Sequence, residues 1–285
     1  RAAALSQRFH YLFERLSITL TRLLMQLARE FAQSEFEPAR FELPIRQGGE
    51  VAPLELSLPD GTRVSVEGIV DRVDLMEKAG RKYVRVVDYK SGSKAFRLDD
   101  VYYGLNLQML IYLFSIWKNG KGELADCLPA GVLYLPAKDH IISTSREASD
   151  EQVEREHQKR YKMSGLVLED PACVAGMEEK VAGVFIPVKT KSDGSFDARS
   201  SLATLEQMGR IQRHIELVLT EMAQNLQDGQ IDATPSVGLG YEPCQYCDYK
   251  PICQHQQQDR QHKLTEMGKE GFYQALKEEE DGTAE

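Results

Sequence analysis

Two aspartates and a lysine stand at the ends of two apolar runs, where they could hold a divalent cation. Asp71 ends the run at 69–70. Asp88 ends a second run at 86–87, and Lys90 follows two positions later. A carboxylate on a buried strand is unfavourable unless it is paired or bound to metal, and residues two apart in a strand share a face. Such a group could hold Mg²⁺, which activates water for hydrolysis of a phosphodiester while the lysine positions that water or stabilises charge.

The opposing interpretation is a solvated strand end. The tripeptide Asp-x-Lys is common, and here the turn residues Ser91 and Gly92 follow it directly. Taken alone, Asp88 and Lys90 therefore favour that interpretation. The Gly-x-x-Asp pattern that ends at Asp71 lies one hairpin upstream, and it shifts the balance toward a metal-dependent nuclease centre.

The elements that must position these residues alternate between helical and extended patterns. Helical spacing, alternation of apolar residues and turn residues distinguish them. In chain order we predict a helix at 5–33, an extended segment at 36–44, strands at 54–58, 64–76 and 82–89, a helix at 99–118, a strand at 131–135, a helix at 149–163, a loop-rich segment at 164–200 and a helix at 201–228. This order predicts an α/β fold with a mixed central sheet flanked by helices.

Two finer predictions follow from the same patterns. In the first extended segment, Phe41 and Leu43 are expected on one face and Glu42 on the other. Residues 1–263 are expected to form one domain. The remaining residues, 264–285, have few apolar anchors and are predicted to be a polar, mobile tail.

The composition sets only loose bounds on function. The 285 residues suffice for one large domain or two small ones, and no apolar run approaches the length of a membrane span. A net charge of −9 does not point to nucleic-acid binding, but a site that holds cations needs carboxylates of its own. No secretory signal is recognisable. The odd number of cysteines and the crowding of three of them favour metal binding in a reducing cytoplasm, so we expect a cytoplasmic protein. The chain begins at Arg1 inside a helical pattern, which favours a piece of a longer protein.

Three of the five cysteines are crowded into a ten-residue loop. They form the pattern Cys-x2-Cys-x5-Cys with Cys244, Cys247 and Cys253. Thiolates at this spacing can wrap one soft metal centre, either an iron–sulfur cluster or zinc. Simple burial of three cysteines so close together is less expected. Cys127 and Cys173 are interpreted as ordinary cysteines, and the odd total argues against a disulfide framework.

The ordered motifs resemble the PD-(D/E)XK nuclease superfamily, which has a restriction-endonuclease-like fold, and in particular its RecB-like branch. Residues 67–74 resemble the Gly-x-x-Asp motif of that branch, and residues 87–92 resemble its Asp-Tyr-Lys-Ser/Thr motif. Residues 108–112 resemble its Gln-x-x-x-Tyr motif on the following helix. Three motifs in the right order are far more specific than any one of them.

The resemblance implies roles for individual residues. Asp71 and Asp88 would be Mg²⁺ ligands and Lys90 the catalytic lysine. Gln108 and Tyr112, one helical turn apart, would lie near the active site and the DNA, although core packing is an equal alternative for the tyrosine.

Further acidic residues surround this motif. By resemblance, Glu42 would be the upstream acidic position that contributes to the metal site. Asp74 and Glu67 are expected to pair with arginines, Arg72 among them, rather than to bind metal.

The sequence departs from that branch in two places. In the iron–sulfur members a fourth cysteine precedes the nuclease core, whereas no cysteine precedes Cys127 here. Members also carry a Gly-x-x-x-His motif on an early helix, but the surroundings of His10 lack the glycine. These departures leave open whether the isolated chain holds a cluster and whether it cuts DNA.

Segments outside the motifs extend the resemblance to the AddB family of bacterial helicase–nuclease subunits. These segments are 36–42, 163–168, 186–189 and 244–253. The resemblance implies an Mg²⁺-dependent exonuclease that cuts the 5′-ended strand during processing of double-strand breaks for recombination. It also implies a heterodimer with an AddA subunit, binding of DNA ends and single-stranded DNA, and a structural [4Fe-4S] cluster.

Basic residues in the C-terminal half are candidates for phosphate contacts, with ordinary solvated charges as the alternative for each. They are Lys189, Lys191, Arg199, Arg210 and Arg213. Two other classes of function compete with the nuclease. One is a catalytically silent DNA-binding or scaffold module with a nuclease fold, and the other is a zinc-binding interaction module.

Overall fold

A computed structural model describes residues 7–92, 96–138, 145, 147–256 and 258–283 of the chain. Its helices and strands are α1 (Gln7–Phe31), β1 (Glu37–Ile45), β2 (Leu54–Ser57), β3 (Arg63–Val66), β4 (Gly68–Lys78), β5 (Arg81–Lys90), α2 (Leu98–Tyr102), α3 (Gln108–Asn119), β6 (Cys127–Pro136), α4 (Asp150–Arg160), β7 (Ser164–Leu168), α5 (Pro171–Met177), β8 (Leu202–Ala203), α6 (Leu205–Gln227), β9 (Ser236–Val237), α7 (Lys250–Cys253), β10 (His262–Lys263) and α8 (Gly268–Thr283).

A six-stranded mixed sheet organises the first of two compact units, which comprises residues up to 54, 67–96 and 108–208. The strand order is β1-β4-β5-β6-β7-β8. The pairs β1–β4, β4–β5 and β6–β7 are antiparallel, whereas β5–β6 and β7–β8 are parallel. Helix α3 packs on strands β4, β5 and β6. The predicted α/β class, with a mixed central sheet flanked by helices, is confirmed.

A tight hairpin between β4 and β5 sets the register of the central strands. Its turn residues Ala79 and Gly80 both have positive φ, 52° and 71°. A two-residue turn of that kind matches the twist of the flanking strands. The ladder then runs from Lys78 opposite Arg81 to Arg72 opposite Val87. The turn therefore decides which side chains meet at the far end of the hairpin.

Two predicted elements are interrupted in the structure. The helix predicted at 99–118 is divided into α2 and α3, because Gly104 and Asn106 adopt positive φ values of 74° and 57° that a helix cannot contain. The strand predicted at 64–76 is divided between β3 and β4 at Glu67. The segment predicted to be loop-rich also contains β7 and α5.

The second unit comprises residues 55–66, 97–107 and the described residues from 209 onward. It contains α2, α7, α8 and most of α6, together with the small parallel pair β9–β10. The sequence predicts a polar, mobile tail from residue 264, but the structure places helix α8 in this segment. Phe272 and Leu276 of α8 are buried, and α2 packs against α8. These two apolar residues lie one turn apart, and α8 also pairs through Glu280 with Arg210 and Arg213 of α6. The domain boundary after residue 263 stays a prediction.

Helix α1 presents large apolar side chains to solvent along most of its length. Nine of them are more than two-fifths exposed: Phe9, Tyr11, Leu12, Phe13, Leu16, Ile18, Leu20, Leu24 and Met25. Only its C-terminal end contributes buried side chains, Gln26 and Glu30. Among the described helices, none is both long and apolar enough to cross a membrane.

Candidate functional site

The hairpin register brings the two predicted metal ligands opposite each other. Arg72 is paired with Val87, so the next position along the two antiparallel strands sets Asp71 against Asp88. Side chains directly opposite in such a ladder have Cβ atoms roughly 4.5–5.5 Å apart, and like charges there are destabilising unless compensated. The structure therefore brings together two carboxylates that repel each other and would be stabilised by a cation.

Asp88 is the more buried of the two aspartates. Its residue surface is 8% exposed, and Lys90 Nζ lies 2.8 Å from its Oδ2. Burial raises the pKa of Asp88, and the charge of Asp71 raises it further, while the contact with Lys90 acts in the opposite direction. The net result is a pKa above the ordinary aspartate value. A bound divalent cation would favour the ionised form of this carboxyl group.

Asp71 is half-buried, and the backbone orients its carboxylate. Its Oδ2 accepts a hydrogen bond of 3.3 Å from the backbone N–H of Tyr89. That N–H belongs to the residue between Asp88 and Lys90. The three groups that the sequence analysis singled out are therefore linked through one short stretch of β5.

Tyr134 lies beside this group, and the sequence analysis did not identify it. It faces Asp88 in the parallel β5–β6 ladder, and Lys90 Nζ lies 5.6 Å from the centre of its ring. The ring of Phe96 stacks on it with centroids 6.4 Å apart. The lysine ammonium is thus held between a carboxylate and an aromatic face. Tyr134 belongs to an apolar strand, so its sequence context resembles that of a core residue. Its position beside Asp88 follows only from the register of β5 and β6.

Gln108 and Tyr112 interact with each other and with the glycine of the upstream motif. Gln108 Nε2 donates a 3.0 Å hydrogen bond to the hydroxyl of Tyr112. A Cβ atom added at Gly68 would lie 2.6 Å from Cε1 of the Tyr112 ring, which is only 8% exposed. The Tyr112 ring therefore fills the space that a side chain at position 68 would need, and core packing is at least part of its role.

Replacing Gly68 with alanine should destabilise the fold by about 1–3 kcal/mol, because overpacking would displace the buried ring of Tyr112. The free energy of unfolding in urea measures this effect. Gly92→Ala is the matched control, since a Cβ there meets no atom of the described residues within 4 Å. Equal unfolding free energies for the two variants would contradict the contact.

Glu42 lies in the same row of the sheet but has a different environment. Phe41 is paired with Arg72 and Leu43 with Val70, so Glu42 stands opposite Asp71. Its φ is 49°, a left-handed conformation that interrupts the alternation of the strand. Phe41 is 63% exposed while Leu43 is buried, and the expectation that the two lie on one face of the strand stays a prediction.

The predicted arginine partner is present for Asp74, whereas among the described residues none is found for Glu67. Arg72 Nε lies 2.9 Å from Asp74 Oδ1, as expected. Glu67 instead accepts a long hydrogen bond, 3.5 Å, from the backbone N–H of Gln47, and among the described residues it pairs with no arginine. Glu67 stands between β3 and β4.

A buried layer of charge joins α1 to β4 and β5. It consists of Glu30, Arg72, Asp74 and Arg85, each no more than 2% exposed. Arg85 donates from Nε to Asp74 at 2.8 Å and from Nη2 to Glu30 at 2.6 Å. We call these four residues the buried ionic layer. Two cations and two anions balance its charge, which a buried group requires.

The donor set of the aspartate pair fits a hard divalent cation. Mg²⁺ is usually held by one or two carboxylates and keeps several waters. Asp71 and Asp88 supply two carboxylates in opposite positions. Within the described ranges, no three His, Cys, Asp or Glu side chains gather as a metal group, and the role of Glu42 as a third ligand stays a prediction.

The cysteine loop does not form an assembled metal site. Cys247 and Cys253 are exposed and Cys244 is half-buried, and the absence of a three-residue metal group in the described part of the chain applies here too. The three thiols alone therefore do not fit a complete cluster. Cys127 and Cys173 are buried, and burial raises the pKa of both thiols, as expected for ordinary cysteines.

The five candidate phosphate contacts fall into two groups. Lys189 and Lys191 are exposed on the first unit, where Arg199 pairs with Asp197 at 3.3 Å. In the second unit, Arg210 and Arg213 both pair with Glu280 of α8, at 3.1 and 2.5 Å. These last two arginines would have to leave an acidic partner before they could bind a phosphate.

Comparison with known proteins gives a consistent family. The PD-(D/E)XK nuclease superfamily matches residues 1–254. An ATP-dependent helicase/deoxyribonuclease subunit from Clostridium acetobutylicum is 38% identical over 251 residues, which cover 87% of this chain and 22% of that protein. The protein of the same name from Acetivibrio thermocellus is 33% identical over 88% of this chain and 22% of its own length. The one from Clostridium botulinum strain Loch Maree is 34% identical over 95% of this chain and 24% of its own length. The chain thus spans less than a quarter of these relatives, and it belongs to the PD-(D/E)XK nuclease superfamily.

Proposed function

We propose that this chain is the DNA-cleaving domain of a helicase–nuclease, with Asp71 and Asp88 as Mg²⁺ ligands and Lys90 as the catalytic lysine. One observation carries the proposal: two opposed carboxylates and an ammonium group meet at the end of adjacent strands, with Asp88 Oδ2 and Lys90 Nζ 2.8 Å apart. Lys90 pairs with one of the two opposed carboxylates, and a bound cation would compensate the charge of both.

The residues of the site divide the chemistry between them. A bound Mg²⁺ supplies a water of lowered pKa and neutralises charge on the phosphate. Asp71 and Asp88 bind the cation, and the N–H of Tyr89 orients the first of them. Lys90 holds the attacking water or stabilises the charge that develops on the phosphate oxygens. The ring of Tyr134 limits where the ammonium group of Lys90 can move.

DNA is the proposed substrate because the relatives are named as deoxyribonuclease subunits. The exposed Lys189 and Lys191 are candidates to contact its phosphates, with Arg210 and Arg213 available if Glu280 is released. Gln108 is exposed at the start of α3 and could reach the strand being cut. By resemblance, we propose that the 5′-ended strand is cut during repair of double-strand breaks by recombination, in the cytoplasm, and that an AddA-type subunit is the protein partner.

The direct test is cleavage of single-stranded and duplex DNA that carries a label at either the 5′ or the 3′ end. We expect Mg²⁺-dependent cleavage that EDTA abolishes, with faster removal of the 5′-ended strand. The purified protein should be assayed alone and together with its partner subunit. DNA binding without cleavage under both conditions would overturn the proposal in favour of the silent scaffold module.

A second proposal concerns the cysteine loop. We propose that Cys244, Cys247 and Cys253 are three ligands of a [4Fe-4S] cluster that a fourth ligand completes. Their spacing and accessibility support thiolate ligation of a soft metal. Iron and acid-labile sulfide analysis of anaerobically purified protein tests it. Zinc without iron and sulfide would support the interaction module instead.

A further inference from the structure

We propose that Tyr89 positions the carboxylate of Asp71 for metal binding, and that Arg72 acts on the site through this tyrosine from the opposite face of the sheet. The inference rests on the proposed metal-dependent function and identifies residues that prepare its metal site. Both are positioning residues, since neither is proposed to touch the cation or the substrate.

Tyr89 makes contacts on both faces of the sheet. Its backbone N–H donates to Asp71 Oδ2 at 3.3 Å on the side of the metal site. Its side chain points the other way, because neighbouring residues in a strand alternate. There its hydroxyl oxygen accepts a 3.1 Å hydrogen bond from Arg72 Nη1, and the guanidinium lies 5.8 Å from its ring centre. Restraint of this side chain therefore also restrains the N–H that orients Asp71.

Arg72 is itself fixed in place. Its side chain is 1% exposed and makes a two-pronged contact with Asp74, with both N–O distances at 2.9 Å. The guanidinium also lies 5.2 Å from the ring of Phe31 at the end of α1. A guanidinium held on several sides in this way is a rigid support. The hydroxyl of Tyr89 is thus anchored to the buried ionic layer.

This anchoring matters because the carboxylate of Asp71 has few other contacts that fix its orientation. Within the described ranges, the N–H of Tyr89 is the one hydrogen-bond donor to its carboxylate. The opposed charge of Asp88 pushes it away in the absence of a cation. Groups that orient a metal ligand from behind typically change metal affinity by about 10–100-fold when they are removed. Loss of the tyrosine anchor should therefore weaken metal binding before it weakens the fold.

The test is direct binding of Mn²⁺ to the Tyr89→Phe protein, with the free ion counted by its paramagnetic resonance signal. This substitution keeps the ring and the backbone N–H and removes only the hydroxyl that meets Arg72. We expect a dissociation constant for Mn²⁺ about 10-fold higher than that of the wild type. Cleavage should recover at saturating metal concentration, because the ligands themselves are unchanged.

Tyr83→Phe is the matched control. Tyr83 lies on the same strand, is 1% exposed and donates its hydroxyl to Asp170 at 3.4 Å, without contact to Arg72. Its loss should leave Mn²⁺ affinity unchanged even if the melting temperature falls equally. A general loss of stability would instead weaken Mn²⁺ binding to the same extent in both variants.

Three results would overturn the inference. If Tyr89→Phe binds Mn²⁺ with the affinity of the wild type, Tyr89 has no positioning role. The proposed function would not be affected by that result. If Arg72 acts through Tyr89, the double variant should bind Mn²⁺ no more weakly than the more affected of the two single variants. Additive losses of Mn²⁺ affinity in Arg72→Lys and Tyr89→Phe would instead show that the two residues act separately. If Asp88→Asn binds Mn²⁺ as the wild type does, the proposed metal site itself fails. Tyr89→Phe alone decides the question if Arg72→Lys does not fold.

Discussion

Replacing Asp88 with asparagine should lower Mg²⁺-dependent DNA cleavage by on the order of 10³-fold, because both the metal ligand and the charge partner of Lys90 are lost. The oxygen at stake is Asp88 Oδ2, which lies 2.8 Å from the lysine ammonium. Asparagine has nearly the same shape, so the loss would report charge and ligation rather than packing. Initial rates of release of labelled nucleotide at saturating Mg²⁺ measure the effect.

The same substitution should not destabilise the metal-free protein. Because burial raises the pKa of Asp88 above its unfolded-state value, the ionised side chain opposes folding at neutral pH. In EDTA at neutral pH, Asp88→Asn is therefore expected to melt at the same temperature as the wild type or higher. This advantage should disappear as the pH falls through the folded-state pKa, where the wild-type carboxyl group becomes neutral.

The control for both measurements is Glu221→Gln, which neutralises an exposed acid outside the site. It should change neither the cleavage rate nor the melting temperature appreciably. Cleavage by Asp88→Asn at a rate close to that of the wild type would refute the assignment of the site. A large fall in melting temperature would show that Asp88 is mainly structural.

Replacing Glu30 with alanine should destabilise the protein by about 3–5 kcal/mol, because it leaves a buried arginine without its partner. Glu30 is 2% exposed and accepts from Arg85 Nη2 at 2.6 Å. Without it, one anion of the buried ionic layer remains for two cations. The free energy of unfolding in urea, measured at neutral pH, tests this expectation.

The preceding residue of the same helix supplies the control. Arg29 pairs with Glu154 at 2.6 Å, but both side chains are more than one-third exposed. Exposed pairs contribute roughly 0–1 kcal/mol, so Arg29→Ala should have a small effect. Glu30→Met combined with Arg85→Met should lose less stability than the sum of the two single changes, since the pair is removed as a unit. Equal losses for Glu30→Ala and Arg29→Ala would refute the role of the buried layer.

The sequence allowed the short-range part of the site to be predicted. Asp71, Asp88 and Lys90 lie on two strands joined by a two-residue turn, and local patterns are enough to place such residues side by side. The pairing of Arg72 with Asp74 was accessible for the same reason, since residues two apart in a strand share a face. Interactions within one hairpin depend on register alone, and the register follows from the turn.

Contacts between distant parts of the chain could not be predicted in this way. Glu30 meets Arg85 across 55 positions, and Tyr134 faces Asp88 across a parallel connection through α3. No local pattern distinguishes these residues from a surface glutamate or a core tyrosine. The break between α2 and α3 was missed for a different reason. Gly104 and an asparagine in the left-handed conformation interrupt an apolar pattern that continues on both sides.

The apolar side chains that α1 exposes affect how the isolated protein must be handled. Exposed apolar side chains in this number tend to bind other apolar surfaces, such as a second copy of the protein, plastic or chromatography resin. Sulfate salts would strengthen that adhesion, because they disfavour exposed apolar area. A preparation would then elute earlier from a sizing column as its concentration rises, and a mild non-ionic detergent would restore the later elution. Comparisons of variants are therefore best made at one matched, low protein concentration.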